Sequence, residues 1–430
     1  MNKISLVSNL IQAIIVFVIL SFGNSTYAQT ETNINLDNCL KFAKENYPLA
    51  KQKGYLQAIS ENNIKAINAT WFPQFNLASK ATYQSEVTDI ELPGFPPIVS
   101  PKDNYSFGLQ ISQTVIDFGV NSQLKKTDTA NTETEIQKNE IELYKLNDRI
   151  IQLYGNVLVT KENIKILESF LDDIKSRQGN MVNSVNNGIS LQSNLDVLDG
   201  EVLKTSQKLI ETKSNLKILY QTLSLLINKQ VDENTVFSEI SDLPEMSNNI
   251  VRPELQFFES QNKLLDEKIN LINRKTLPRL SIFGEGAYGR PGYNFLNDKM
   301  RTYGIVGVNL SWNISSVYNT SFEKKNMSVS KDIVDEQNEL FQLNLKTTLI
   351  QQNGEIDKIK QMIELDKSIV EKRISISKTA ANQLENGTLT SSDYLTFLNA
   401  EKQAELNQRI HEIQLGVAIK SLNVTRGIKN

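Results

Sequence analysis

Long hydrophobic runs, cysteine and histidine are almost missing from this chain of 430 residues, and each absence excludes a class of protein. Beyond residue 28 no segment approaches 18 consecutive apolar residues, which excludes a transmembrane helix in the mature protein. The single cysteine, Cys39, excludes an intrachain disulfide, and we expect it to be a buried helix residue. With only one histidine and one cysteine, the chain has too few of the usual ligands for a zinc site. We therefore expect neither a metal nor any other cofactor.

A strong charge of one sign is missing as well. The chain carries 46 basic and 49 acidic residues, which gives a net charge of −3. This near balance provides no electrostatic footprint for nucleic acid or for an anionic membrane surface. Nucleic acid is therefore not an expected partner.

The N-terminal residues 1–28 have the features of a secretory signal peptide. Lys3 supplies the positive charge, residues 10–22 are apolar apart from two positions, and small residues precede Gln29. The apolar run is too short for a comfortable membrane span. An uncleaved N-terminal anchor is the alternative, but the residues before Gln29 favour cleavage and export.

The remainder of the chain contains one plan twice. Pro73 matches Pro278 at an offset of 205 residues, whereas Gly188 matches Gly387 at an offset of 199. The difference of six residues fits a shorter hairpin loop in the second copy. We therefore divide the chain into a first repeat (29–227), a connector (228–251) and a second repeat (252–427).

Each repeat is predicted to form a helix, a β-hairpin and two long helices. The expected helices of the two repeats are 36–69, 121–187 and 191–227, then 253–275, 319–386 and 391–426. The expected strands lie near 74–85, 104–115, 279–288 and 302–314. The first helix of each repeat ends before a proline, which disfavours helix in the residue that precedes it.

The four strands alternate apolar and polar residues with a period of two, which is typical of an outer-membrane β-barrel wall. The polar positions expected to face the lumen are Asn76, Lys80, Gln110, Ser112, Glu285 and Asn309. Aromatic residues at the strand ends are expected to form the interfacial girdles: Trp71, Tyr83, Tyr105, Tyr288 and Trp312. A soluble sheet with one solvated face alternates in the same way, so the strands alone leave both interpretations open.

The helices between the hairpins are too long for a globular domain. Residues 121–187 contain no proline, and as a helix they would span about 100 Å. Apolar residues recur every seven positions, which predicts coiled-coil packing against neighbouring helices. Asn187-Gly188 and Asn386-Gly387 end the long helices, because glycine accepts a left-handed conformation there. The helical tips should therefore lie about 100 Å from the strands.

Four strands cannot close a barrel, and an open sheet edge is not tolerated in lipid. Several copies of the chain must therefore contribute strands to one wall. We expect a homo-oligomer embedded in outer-membrane lipid.

Several short sequences, in this order and duplicated, resemble the TolC family of bacterial outer-membrane efflux proteins. They are Asn46-Tyr47-Pro48, Phe72-Pro73, Ile116-Asp117-Phe118-Gly119, Asn187-Gly188 and Asn386-Gly387-Thr388. The resemblance extends from Leu36 to about Gly427. It implies a mixed fold, in which a homotrimer completes a twelve-stranded membrane β-barrel and a twelve-helix coiled-coil tunnel.

The resemblance also implies a function without chemistry of its own. Such a protein is the exit duct of a tripartite efflux or type I secretion system, and it conducts substrates passively from the periplasm to the exterior. A periplasmic membrane-fusion adaptor and an inner-membrane pump would dock at the tips. The residues that the resemblance assigns to docking and gating are Asn187, Gly188, Asn194, Glu385, Gly387, Thr388 and Asp393.

One departure concerns charge at the second tip. The best-known members carry acidic residues on the last turns of the helix before that tip, whereas residues 378–386 here contain only Glu385. A cation-selective aperture is therefore not implied for this chain.

Two other classes of function are alternatives to an exit duct. A soluble periplasmic coiled-coil adaptor or structural protein fits the long helices but does not explain duplicated hairpins with aromatic ends. An exported enzyme would use the glycine-rich segment 284–289, but that segment leads into Arg290-Pro291 and not into a helix, so no phosphate would meet a helix N-terminus.

Overall fold

The computed structural model describes residues 33–240, 250–294 and 297–428. The predicted signal peptide and part of the predicted connector lie outside the described residues. Within the described ranges, none of the helices combines the length and the hydropathy needed to cross a bilayer.

The first repeat starts with a two-residue strand and ends with two long helices. Its elements are β1 (Asn33–Ile34), α1 (Leu36–Asn46), α2 (Gln52–Ala69), β2 (Gln74–Tyr83), β3 (Asp89–Ile90), β4 (Ile98–Val99), β5 (Asp103–Ile116), α3 (Val120–Asn186) and α4 (Gln192–Ile227). The second repeat follows the strand β6 (Val236–Phe237) and contains α5 (Pro253–Lys275), β7 (Arg279–Arg290), β8 (Arg301–Ser311), α6 (Ser316–Glu385) and α7 (Ser391–Arg426).

The prediction of a single helix over residues 36–69 is wrong, because the helix is interrupted at Tyr47. Tyr47 has φ −65° and ψ 137°, an extended conformation that the ring of the following Pro48 imposes by steric crowding. A 3₁₀ turn, Pro48–Lys51, separates α1 from α2. The break allows α1 to contact both α3 and α4, whereas α2 continues along α3.

The long strands form one antiparallel sheet in the order β2-β5-β7-β8. The hairpins of the two repeats therefore join through β5 and β7, over a register that runs from Tyr105 opposite Arg290 to Ile116 opposite Leu280. β2 and β8 are the two outer strands, and each has one edge without a partner strand in the described part of the chain. The loop between β2 and β5 contains a small hairpin, β3 with β4, that the sequence analysis did not predict.

The helices continue from the sheet as one layered bundle. α3 contacts α2 and α5 in its first half, and α4 and α7 further on, while α6 contacts α5 and then α7. α3 contains 67 residues and α6 contains 70, so each extends for about 100 Å. α4 and α6 lie at the two sides of the bundle.

A central cluster of buried side chains holds the middle of the bundle together. It joins α1, α3, α4, β6 and α7, and includes Leu36, Cys39, Ile150, Tyr154, Leu223, Phe237 and Val424. Cys39 is fully buried, and this burial raises the pKa of its thiol to about 12. The parallel pair β1 and β6 closes one side of the cluster, and β6 lies in the segment that was predicted to be connector only.

Tyr154 ties that strand pair to α3. Its hydroxyl oxygen lies 3.0 Å from the carbonyl oxygen of Ile34 and 2.7 Å from that of Ser238. Its ring meets Phe237 with centroids 5.4 Å apart. On the other side of Phe237, Tyr220 stacks at 5.7 Å, and its hydroxyl has no hydrogen-bond partner among the described residues.

These contacts predict different effects for two tyrosine-to-phenylalanine substitutions. Tyr154→Phe removes a buried donor from two carbonyl oxygens and should lower the free energy of unfolding by about 1–3 kcal/mol. Tyr220→Phe removes an unbonded hydroxyl and should change it by less than about 0.5 kcal/mol. Thermal and denaturant unfolding of the purified variants measures both. Equal effects of the two substitutions would contradict this account.

Candidate functional site

The two faces of the sheet differ sharply in polarity. The strand register places Gln110 between Asn76 on β2 and Glu285 on β7, and the Gln110 amide donates to the Glu285 carboxylate over 3.4 Å. The other positions expected to face the lumen lie on this same face: Lys80 opposite Ser106, Ser112 opposite Gln74, and Asn309 opposite Ser281. All six predicted residues therefore share one face of the sheet.

Three bulky residues interrupt the polar face. The register puts Phe283, Tyr303 and Ile305 on it, together with Glu285. The ring of Phe283 lies over Gly307, where a β-carbon would come within 2.8 Å of it. A side chain at residue 307 would therefore displace the ring, so this glycine matters for close packing on the polar face.

The opposite face is apolar and exposed over its whole height. Its exposed large side chains include Phe75, Leu77, Phe107, Ile282, Val306, Val308 and Leu310. Val306 is 87% exposed, although such a surface is unfavourable in contact with water. An apolar band of this kind is typical of a wall that faces lipid.

The aromatic residues predicted for the girdles lie at the two ends of the sheet. Tyr83, Tyr105 and Tyr288 occupy the apolar face at the loop end, where Tyr105 lies beside Arg290. At the helical end, the indole nitrogen of Trp312 donates to the carbonyl oxygen of Thr276 over 2.9 Å. Trp71 lies at the same end of the sheet but at its other edge, in the turn that precedes β2, and its carbonyl oxygen accepts from the Gln113 amide over 3.2 Å.

The two helical tips have the same backbone geometry. Gly188 and Gly387 have φ angles of 71° and 69°, in the left-handed region that favours glycine. The Gly188 N–H donates to Val185 and the next N–H donates to Ser184, both over 2.9 Å. The second tip repeats these bonds, from Gly387 to Leu384 and from Thr388 to Gln383. These bonds satisfy the last carbonyl groups of α3 and α6.

The start of the following helix differs between the tips. At the second tip, the Thr390 hydroxyl accepts from the Asp393 N–H over 3.1 Å and lies 2.7 Å from the Asp393 carboxylate. This arrangement caps the N-terminus of α7, just after the turn that contains Thr388. At the first tip, α4 has no side-chain cap, and Asn194 contacts Ser190 instead.

Contacts between the two tips join residues that the sequence analysis placed there. The Asn194 side-chain oxygen accepts from the Ser391 N–H over 3.4 Å. Glu385 forms an ion pair with Arg177 of α3, so its charge is balanced within one chain. Asn187 ends α3 beside Gly188 and takes no part in these contacts.

Arg177, Asp173, Tyr394 and Lys402 complete the cross-tip contacts, although none of them was among the predicted docking and gating residues. Lys402 lies 3.2 Å from Asp173 and 3.4 Å from both Glu401 and Glu405. Burial alone would lower the pKa of Lys402, but Glu405, Asp173 and Glu401 together raise it. Lys402 is therefore a permanent cation between the two helical hairpins.

Tyr394 belongs to a second group of buried side chains, which we call the tip cluster. Its other members include Phe170, Ile174, Met181, Leu198, Leu384 and Leu398. Burial raises the pKa of Tyr394, although the neighbouring Arg177 opposes this shift. The tips are therefore held by an apolar centre with ion pairs at its border.

A substitution at the first tip tests the importance of its backbone geometry. Gly188→Ala places a β-carbon in open space, but in a left-handed backbone that costs roughly 1–2 kcal/mol. Gly179→Ala, on the regular part of α3 and also in open space, should be neutral or stabilising by up to about 1 kcal/mol. Hydrogen exchange of residues 180–192 should accelerate only in the first variant. Unchanged exchange there would contradict the prediction.

Comparison with known proteins gives a family match in the first repeat and structural matches over nearly the whole chain. Residues 42–229 match the family described as outer membrane efflux protein. Among curated proteins, none matches the chain. Solved structures under 25% identical share its fold, as the following three examples show.

The Campylobacter jejuni CmeC outer membrane channel is 15% identical, with a TM-score of 0.64 over 94% of this chain and 91% of its own. The open state of the Neisseria gonorrhoeae MtrE outer membrane channel is 12% identical, with a TM-score of 0.64 over 92% and 89%. The outer membrane protein VceC from Vibrio cholerae is 12% identical, with a TM-score of 0.63 over 91% and 94%. The family model covers residues 42–229, so the first repeat is similar to outer membrane efflux proteins, and the fold of nearly the whole chain is shared with these solved structures.

Proposed function

We propose that this protein is the exit duct of an efflux or type I secretion system, held in the outer membrane by its sheet and extended into the periplasm by its long helices. The observation that carries the proposal is that the sheet and the long helices follow each other directly in the chain. A sheet with one exposed apolar face leads directly into helices of 67 and 70 residues. A lipid-embedded wall at one end and remote tips at the other suit a conduit between two compartments.

The proposed duct is a homotrimer. One chain supplies a sheet of four long strands whose outer strands, β2 and β8, each have an open edge among the described residues. Open edges in lipid leave backbone N–H and C=O groups unbonded, at a cost of several kcal/mol each. Three copies joined β8 to β2 would close a twelve-stranded barrel without edges.

The helices at the sides of the bundle support the same assembly. α4 exposes an apolar stripe at Leu203, Ile210, Ile218 and Leu225, with Leu203 72% exposed. α6 exposes a second stripe at Ile333, Leu340, Leu343 and Ile350, with Ile350 74% exposed. Residues spaced by three, seven or eight along one helix share a face, which is typical of a seam between helices. We assign α4 of one copy to pack against α6 of the next, which gives a twelve-helix tunnel.

The polar face of the sheet would line the lumen, and transport through it would be passive. Asn76, Lys80, Gln110, Ser112, Glu285 and Asn309 offer a wettable surface with charges of both signs. The energy would come from an inner-membrane pump, linked by a periplasmic adaptor that docks at the tips. The first tip exposes Ile189 and Leu191, which suits docking of an apolar surface.

Membrane fractionation and size analysis test the proposal directly. We expect recovery in the outer-membrane fraction and a trimer in mild detergent that forms ion-conducting pores in a planar bilayer. Leu203→Glu buries a charge in the proposed seam and should shift the trimer to monomer. Asn215→Glu adds the same charge to the exposed face of α4 outside the stripe and should leave the trimer intact. A soluble monomer of the unaltered chain would overturn the proposal.

A second prediction concerns closure at the tips. The Arg177–Glu385 pair joins the two helical hairpins of one chain, and its removal should favour the open arrangement. Because a half-exposed ion pair contributes about 1 kcal/mol at most, Arg177→Ala should raise the open population by up to about fivefold. Single-channel recording measures this change. Lys367→Ala breaks the pair with Glu364 within α6 and should have no effect. Equal behaviour of the two variants would contradict a role in closure.

A further inference from the structure

A pocket of about 730 Å³ lies between α3, α4 and the connector residues 231–234. Its volume is within the range of small-molecule binding pockets. Its apolar lining comes from Ile164 of α3, from Leu216 and the ring of Tyr220 on α4, and from Val231 of the connector. Charged side chains of both signs surround this lining. We call this place the connector pocket.

The Tyr220 hydroxyl is a reachable polar group within this apolar lining. Tyr220 as a whole is only 4% exposed, and its ring stacks on Phe237. The hydroxyl has no hydrogen-bond partner among the described residues, yet its oxygen is not one of the unpartnered atoms that are sealed from solvent. Buried polar groups are almost always hydrogen-bonded in native proteins. A molecule in the connector pocket can therefore supply the partner that the chain itself does not.

Part of the charge around the connector pocket is balanced within the chain. The Lys213 ammonium lies 2.7 Å from the Glu168 carboxylate, and the Lys165 ammonium lies 3.8 Å from that of Glu162. The Asp232 carboxylate accepts from the backbone N–H two residues further along the connector, over 3.0 Å. These five side chains already have partners, so the charges that remain decide which ligand the pocket favours.

Two ammonium groups on the helical walls remain without an anionic partner in the part of the chain that the structure describes. They belong to Lys161 of α3 and Lys217 of α4. The Lys161 ammonium lies 5.3 Å from the centre of the Phe237 ring, against which Tyr220 stacks from α4. Burial lowers the pKa of Lys161, although Glu162 opposes this shift. A carboxylate bound beside Lys161 would offset the cost of burying its charge.

Glu233 supplies the opposite charge from the connector wall. It is exposed, and none of the described cations lies within ion-pair distance of its carboxylate. Burial raises the pKa of Tyr220, and the charges of Glu233 and Asp232 raise it further, so both carboxylates lie near the Tyr220 hydroxyl. The pocket therefore offers cations on its helical walls and an anion on its connector wall. Unpaired charges of opposite sign on different walls suit a ligand that carries both.

We propose that the connector pocket binds a short peptide with free ends, whose carboxylate lies at Lys161 and Lys217 and whose ammonium lies at Glu233. The Tyr220 hydroxyl bonds to the peptide between these two charges. A ligand with charge of one sign only meets a like charge at one wall, so it binds more weakly. Binding at this place is independent of conduction, so the proposal stands or fails separately from the exit-duct function.

Calorimetric titration of the detergent-solubilised full chain with trialanine tests the proposal. Trialanine carries both terminal charges and is too polar to enter the detergent micelle. We expect a dissociation constant on the order of 1 mM for so small a ligand. Trialanine amide lacks the carboxylate and acetyl-trialanine lacks the ammonium. Each of these two peptides should bind about tenfold more weakly than trialanine, because each loses a hydrogen bond between charged groups.

Three variants assign each end of the peptide to its wall. Lys161→Gln should bind trialanine about tenfold more weakly, but should bind trialanine amide as the unaltered chain does. Glu233→Gln should weaken trialanine binding by a similar factor and leave the affinity for acetyl-trialanine unchanged. Lys175→Gln is the control, because Lys175 is exposed about 21 Å further along nearly the same face of α3. This control should bind all three peptides normally.

Thermal unfolding without peptide shows that the variants are folded. Lys161→Gln should unfold at the same temperature as the unaltered chain or higher, because it removes a half-buried ammonium that has no ion-pair partner among the described residues. Absence of trialanine binding by the unaltered chain would show that the connector pocket holds water only. That result, or equal affinities for the three peptides, would overturn the proposal.

Discussion

The need to bond every backbone group of a sheet in lipid governs this molecule. β2 and β8 end the four-stranded sheet with open edges, and the outward face beside them is apolar. One chain therefore supplies only part of a barrel wall. The duplicated hairpin widens that part from two strands to four. The first hairpin joins the second through β5 and β7 inside the chain, and in the proposed trimer the other copies supply the remaining junctions. In the same proposed trimer, the apolar stripes on α4 and α6 would be buried between copies, with the hydrophobic effect as the driving force.

Periodic elements were predictable from the sequence, and their ends were too. Apolar residues recur every second position in the strands and every seventh position in the long helices, because each period is a property of the local backbone. Pro73, Pro278 and the two Asn-Gly pairs stop helices for local steric reasons, so α3, α5 and α6 end within one residue of the predicted positions, although α6 begins three residues earlier than predicted. Pro48 carried the same information, but a helical pattern on both sides of it concealed the break at Tyr47. β1 and β6 are two residues each and about 200 residues apart, so no local pattern reveals their pairing.

At the tips, the sequence predicted the turns but not the contacts between them. Gly188 and Gly387 are recognisable because left-handed backbone selects glycine. Arg177 and Lys402, by contrast, resemble any charged residue on a long helix. Their partners Glu385 and Asp173 become evident only when α3 is known to lie beside α6 and α7. The connector pocket has the same origin, since Lys161, Lys217 and Glu233 come from α3, α4 and the connector and gain meaning only together.

The central cluster has a mechanical consequence for the tips. It clamps α3 near Tyr154, and the 32 residues from there to Asn186 run on as an arm of roughly 50 Å. A rotation of only about 1° at the clamp displaces the end of that arm by roughly 1 Å. A repacking around Tyr154 that turned α3 as a rigid rod would therefore move its tip end more than its middle, and the tip cluster with the Arg177 and Lys402 ion pairs opposes such a turn.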